Sequence, residues 1–126
     1  MYFPEELKYS KTHEWVRFED ETTAYIGITD YAQDQLGDLV YVNLPEEGEE
    51  TAAGEPFADV ESVKAVSDVI SPVTGTIEEV HSDLADEPQM MNQAPYEAWF
   101  IKVRDISETE ELMTREEYEK FIAEEA

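Results

Sequence analysis

A chain of 126 residues with 41% hydrophobic residues, 7 Tyr, 5 Phe and 2 Trp has the size and apolar content of one domain with a real core, which excludes a disordered acidic tail. Its 32 Asp and Glu against 8 Lys and Arg leave a formal net charge of -24, a field that repels phosphate backbones and anionic headgroups and so speaks against nucleic acid and membrane as partners. Cys is absent, which excludes disulfides, thiolate metal sites and a protein-borne sulfur nucleophile, so any redox sulfur must come from a cofactor.

Met1 to Tyr9 lacks the basic start and apolar centre of a signal peptide, and no run has the length of a spanning helix. The expected location is therefore the cytoplasm, or the mitochondrial matrix if a transit peptide was removed. The acidity is spread from Glu5 to Glu125, which fits a high-salt cytosol where self-repulsion is screened.

Short β-type segments follow at Glu14 to Phe18 and Thr22 to Ile28. Thr29 then offers an N-cap for a short helix over Asp30 to Leu36, which Gly37 ends. Further strands are expected at Leu39 to Val42, Pro56 to Val63, Ala65 to Ile70, Gly75 to His81 and Trp99 to Val103. Turn signals separate them at Leu44 to Gly48, Ala53-Gly54, Ser71-Pro72 and Thr74-Gly75. Ser82 to Tyr96 reads as an irregular loop with one turn of helix, whose Met90 and Met91 fill gaps in the core. Thr114 and Glu117 form a capping-box pattern for a C-terminal helix over about 114–125, with Tyr118, Phe121 and Ile122 on its packing face. Trp15, Tyr41 and Trp99 are expected in core or loop packing, and His13 is structural. The whole is one domain, 1–126, mainly β: a flattened β-sandwich with its core over about 7–104, a short helix after the second main strand and a helix at the end.

One lysine stands alone. From Phe18 through Ile101 there are 20 Asp and Glu residues, and the only Lys or Arg is Lys64. It lies between two β-type runs with no Gly, Asn or Pro to mark a break, a pattern that a tight hairpin with Lys64 at its tip explains. Relief of local repulsion is the ordinary role for a lysine in an acidic domain, but it does not account for the residues on either side.

Those residues, Glu61-Ser62-Val63-Lys64-Ala65-Val66-Ser67-Asp68, resemble the lipoylation hairpin of glycine cleavage H proteins. Gly75 matches the glycine that accompanies the lysine in that family. Biotin carriers place Met on both sides of their lysine, whereas Val63 and Ala65 flank this one. The similarity continues through Leu7-Lys8-Tyr9, His13-Glu14-Trp15-Val16, Gly27 to Gln33 with Leu36-Gly37-Asp38, and Asn92 with Pro95-Tyr96 and Trp99. His81 stands where the family usually has Asn, and Tyr96-Glu97-Ala98-Trp99 is one residue short.

The resemblance implies a barrel-sandwich hybrid of the lipoyl/biotinyl type and a lipoate joined covalently to Lys64. It implies a non-catalytic, monomeric carrier whose partners are glycine decarboxylase (P protein), aminomethyltransferase (T protein), dihydrolipoyl dehydrogenase (L protein) and a lipoate-attaching enzyme. It assigns Glu61 and Gly75 to recognition by that last enzyme, although Glu61 also fits as a continuation of the acidic face. Glu14 and Asp68 match acidic positions that hold the loaded arm, with Thr12 as a nearby polar group and Ile28, Leu36 and Ala65 as the apolar wall. Glu14 and Asp68 fit equally well as carboxylates on a solvated surface. Alternatives are a lipoyl or octanoyl relay, a hydrolase using Glu14, Glu61 or Asp68, and a calcium module, for which the EF-hand spacing is missing.

Overall fold

The strands are short, and each contributes apolar side chains to a buried interior at some of its positions. In the computed structural model, which describes Met1 to Glu125, β1 (Lys8–Tyr9), β2 (Glu14–Asp20) and β3 (Thr23–Ile28) run antiparallel in sequence order. Helix α1 (Asp30–Leu36) follows, then β4 (Leu39–Asn43), β5 (Glu50–Thr51), β6 (Pro56–Ser62), β7 (Val66–Ile70) and β8 (Val73–Val80). Two single-turn helices, α2 (Asp83–Asp86) and α3 (Met90–Gln93), precede β9 (Ile101–Thr109) and α4 (Arg115–Glu125). Ala126, the last residue of the expected 1–126 domain, lies outside the described residues.

Two antiparallel sheets result, not closed into a barrel: six strands in the order β1-β2-β3-β9-β8-β5, and three in the order β4-β6-β7. Ile26, Ile77, Ile101 and Val103 from the first meet Leu39, Val42, Val60 and Val69 from the second in one buried core. This is the expected flattened sandwich, and burying such side chains stabilises it by roughly 1.5–3 kcal/mol each. Leu84 on α2 and Met91 on α3 are fully buried in the same core. The 82–96 segment therefore holds two turns of helix rather than one, the first anchored by Leu84 and the second by Met91 with Met90 packed beside it.

A second cluster lies outside the sandwich, where Phe3, Tyr9 and Trp15 pack against Tyr118 of α4. Tyr9 and Tyr118 stack with centroids 4.8 Å apart. The Tyr118 hydroxyl bonds both Thr29 Oγ1 at 2.8 Å and His13 Nδ1 at 2.9 Å, so α4 is tied to the turn just before β2 and to the start of α1. The capping box is present: Glu117 N donates to Thr114 Oγ1, and Thr114 N donates to Glu117 Oε1. Thr29 caps α1 through the bond from Ala32 N at 3.1 Å.

Further expectations need correction: Thr74-Gly75, read as a turn signal, lies inside β8, paired with β5 and β9. Strand β9 continues to Thr109 instead of ending at Val103, pairing its polar half with Val73 to Thr76. Tyr41 is not in core or loop packing but 52% exposed, because the register of β4 shifts between Leu39 and Tyr41 and turns both Val40 and Tyr41 outward. His81 packs the loop before β9: its ring stacks on Trp99 at 4.5 Å and its Nδ1 donates to Trp99 O at 2.7 Å.

Candidate functional site

Strands β6 and β7 pair as far as Glu61 and Val66, and the chain reverses over Ser62 to Ala65 with Lys64 at the tip. Ser62 N donates to Ala65 O at 2.8 Å. On the return side the Ser62 hydroxyl takes the place of a backbone carbonyl, accepting from Lys64 N and Ala65 N at 3.1 Å each and donating to Ala65 O at 3.2 Å. Neither Val63 nor Lys64 has a positive φ, so this turn needs no Gly or Asn; a serine side chain closes it. The tip is also docked, since Val63 N donates to Asp38 O at 3.0 Å.

The Lys64 stem crosses Gly37, the residue that ends α1 with φ 84°. A Cβ built there would lie 2.8 Å from Lys64 Cε, and the backbone conformation is one that only glycine adopts comfortably. Lys64 is exposed and takes part in no ion pair among the described residues, although the domain around it is strongly acidic. What the fold presents is a primary amine on a short, well-bonded support, open to an incoming protein.

The other candidates are not all gathered there. Glu61 is exposed on β6, three residues before the lysine, opposite Tyr41 and Val66. Gly75 lies on β8 in the other sheet, and a Cβ there would come within 2.6 Å of both Arg104 O and Val103 Cγ1. The close passage of β9 accounts for this glycine without any contact to the hairpin. Ala65 is exposed at the turn and Ile28 is buried in the core, so neither walls a cleft beside the lysine.

Leu36 and Thr12 do come together. They line a depression of about 290 Å³ with His13, Tyr31, Ser67 and Glu125. Leu36 adjoins Gly37 and Ser67 lies three residues past Lys64, which puts this hollow next to the lysine stem. Asp68 is exposed and lines a different hollow of about 420 Å³, with Asn43, Glu49 and Asp59. Alternation along β7 explains the separation, because neighbours on a strand point to opposite faces. Ser67 has the orientation that was expected of Asp68, and the pleat of the hairpin was the signal that could have found it.

Glu14 is neither a solvated carboxylate nor part of that lining. It is 2% exposed, and its Oε1 accepts from Ser10 Oγ at 2.7 Å and Thr12 Oγ1 at 2.5 Å. Its Oε2 accepts from Ile70 N at 3.2 Å, which ties β2 of one sheet to β7 of the other. Burial pushes the carboxyl up from its ordinary 4.5 to about 7, against the bonds from Thr12, Ser10 and Ile70, which pull it down. Glu14 is thus buried between the sheets, whereas Glu61 and Asp68 are exposed on β6 and β7. Among the described residues no group of three or more His, Cys, Asp or Glu side chains could hold a metal ion, and no helix is long and apolar enough to cross a membrane.

The family model for the glycine cleavage H-protein matches residues 7–125. A glycine cleavage system H protein of Lachnoclostridium phytofermentans is 64% identical over 121 residues, covering 96% of this chain and 95% of that protein. One from Bacillus subtilis is 53% identical over 127 residues, covering 98% and 99%. The crystal structure of a glycine cleavage system H protein from Mycobacterium marinum superposes with a TM-score of 0.89 at 38% identity, over 96% of this chain and 99% of that one.

Proposed function

This chain belongs to the glycine cleavage H-protein family, and from that membership we propose that Lys64 carries a lipoyl group and that the protein is a non-catalytic shuttle for the aminomethyl group of glycine. The observation that carries the reading is exposed Lys64 at the end of the serine-closed hairpin, its amine in no ion pair among the described residues. Acylation joins Lys64 Nζ to the carbonyl carbon of an activated lipoyl donor; the donor's leaving group departs with its bonding electrons, and the nitrogen, an ammonium at the start, gives up two protons, one to become the nucleophilic amine and one on forming the amide. The charge on the chain falls by one, and an amide with a long flexible arm replaces an ammonium group.

Held on Lys64, a lipoyl group would supply the dithiolane sulfur that this cysteine-free chain lacks, the chemistry needed to carry an aminomethyl group between a pyridoxal-phosphate decarboxylase and a folate-dependent aminomethyltransferase and to be returned to the disulfide by a flavin-dependent dihydrolipoyl dehydrogenase. The residues of this chain hold and aim. The β6–β7 hairpin fixes the root of the arm, so that docking of a partner converts the encounter into a tethered one with high effective concentration. The hollow beside the stem offers Leu36 as an apolar wall and the hydroxyls of Thr12 and Ser67 as polar contacts, a resting place for the arm between partners. Glu14 serves that hollow from beneath, by bonding the Thr12 hydroxyl and the backbone of β7. The bacterial origin of the relatives supports the cytosol as the setting.

A lipoyl relay to other enzymes is the competing role. Reconstitution separates the two: the lipoylated protein, added to the decarboxylase, the aminomethyltransferase and the dehydrogenase, is expected to restore glycine-dependent release of carbon dioxide and formation of methylenetetrahydrofolate. If the lipoylated chain turns over no glycine with active partners, the shuttle reading is wrong and the relay stands.

A further inference from the structure

Asn92 stands on α3, and its amide spans both sides of the link between α1 and β4. Its Nδ2 donates to Gln33 Oε1 at 2.9 Å and to Gly37 O at 3.0 Å, while its Oδ1 accepts from Leu39 N at 2.9 Å. Both donors and one acceptor site of a half-buried side chain are thereby used on α1 at Gln33 and on the two ends of the 37–39 link. That link is what the lysine hairpin rests on: Asp38 O receives Val63 N, and Gly37 lies under the Lys64 stem. A continuous path of named contacts therefore runs from Asn92 through Gly37 and Asp38 to Val63 and Lys64.

We propose that Asn92 is a positioning residue for Lys64, locking the 37–39 link so that the hairpin offers its amine to the acylating enzyme in one orientation. This rests on the reading of Lys64 as the acylated residue. The chemistry of the site requires an amide. An aspartate would keep the acceptor for Leu39 N but set a carboxylate oxygen against two other oxygens, Gln33 Oε1 and Gly37 O, and push the link away. Orientation of a reacting amine acts on the rate of the chemical step more than on docking, since the docking surface of the hairpin is unaltered.

The test is steady-state acylation of the full, unmodified chain by a lipoate-attaching enzyme supplied with lipoate and ATP, at a temperature where circular dichroism shows each variant folded. Asn92→Asp is expected to lower kcat by about tenfold with little change in KM, and to speed hydrogen exchange of the Val63 amide. Val63→Pro removes the bond to Asp38 O from the other side. If both act through the same link, the double variant is no slower than the slower single, whereas independent effects would multiply. Should Asn92→Asp fail to fold, Gln33→Leu takes one bond from the amide and is expected to give the same change in kcat on a smaller scale. A folded Asn92→Asp chain acylated as fast as the parent, or effects that multiply, would overturn the proposal. A parent chain left unmodified would instead overturn the reading of Lys64, and the Val63 exchange rate would then judge the clamp by itself.

Discussion

Lys64→Arg is expected to leave the chain without any lipoyl group and to abolish its support of glycine turnover, while stability stays within about 0.5 kcal/mol of the parent. The two halves of this expectation have separate causes. A guanidinium stays protonated and cannot act as the acyl acceptor, so a single substitution removes the chemistry while preserving the charge. The hairpin does not depend on the amine: its closing bonds come from the Ser62 hydroxyl and from the backbone of Ser62, Val63 and Ala65. Methylenes of either side chain cover Gly37. Lys8, Lys11, Lys102 and Lys120 are internal controls, since each is a lysine that the lipoate-attaching enzyme should ignore. A Lys64→Arg chain that still gained a lipoyl group would show that the hairpin does not select its lysine.

Glu14 should make stability fall as pH rises through the acid to neutral range. The folded carboxyl titrates near 7 and the unfolded one near 4.5, so between these values the folded chain binds more protons and loses stability with increasing pH. The loss is complete above about 7 and amounts to roughly 3.5 kcal/mol at most, at about 1.4 kcal/mol per unit of pKa. Glu14→Gln removes this titration and leaves the rest of the acidic surface alone. Denaturant unfolding of both chains at pH 5 and pH 8 isolates the effect, and the substitution is expected to be more favourable at pH 8 than at pH 5 by up to that amount. Parallel pH dependences would mean that the bonds from Ser10, Thr12 and Ile70 keep the group ionised throughout.

Much of the site was legible because the hairpin advertises itself locally. A single cation among 20 carboxylates, set between two β-type runs, pointed to Lys64, and Thr29 with Gly37 bounded α1 correctly. Thr114 and Glu117 placed the last helix for the same reason: capping is decided by residues three apart. What stayed hidden depends on contacts between distant segments. The polar half of β9 has no apolar alternation, and its pairing with Val73 to Thr76 supplies what its own residues do not signal. Gly75 is marked in the sequence by the family resemblance alone, which does not reveal that the backbone of Arg104 lies against it. Asp68 and Ser67 differ only in which face of β7 they occupy, and the turn closed by Ser62 fixes that phase. Glu14 looks like any surface acid in an acidic chain. Only the meeting of β2 with β7 at Ile70 makes it an interior one.

The claim on which the carrier reading turns is that Lys64, and no other residue, accepts the lipoyl group. Intact-mass measurement of the full chain before and after incubation with a lipoate-attaching enzyme, lipoate and ATP, followed by peptide mapping, tests it directly. The expected result is the gain of one lipoyl group per chain, confined to the peptide containing Val63-Lys64-Ala65. No gain in mass, or modification at any other lysine, would contradict it.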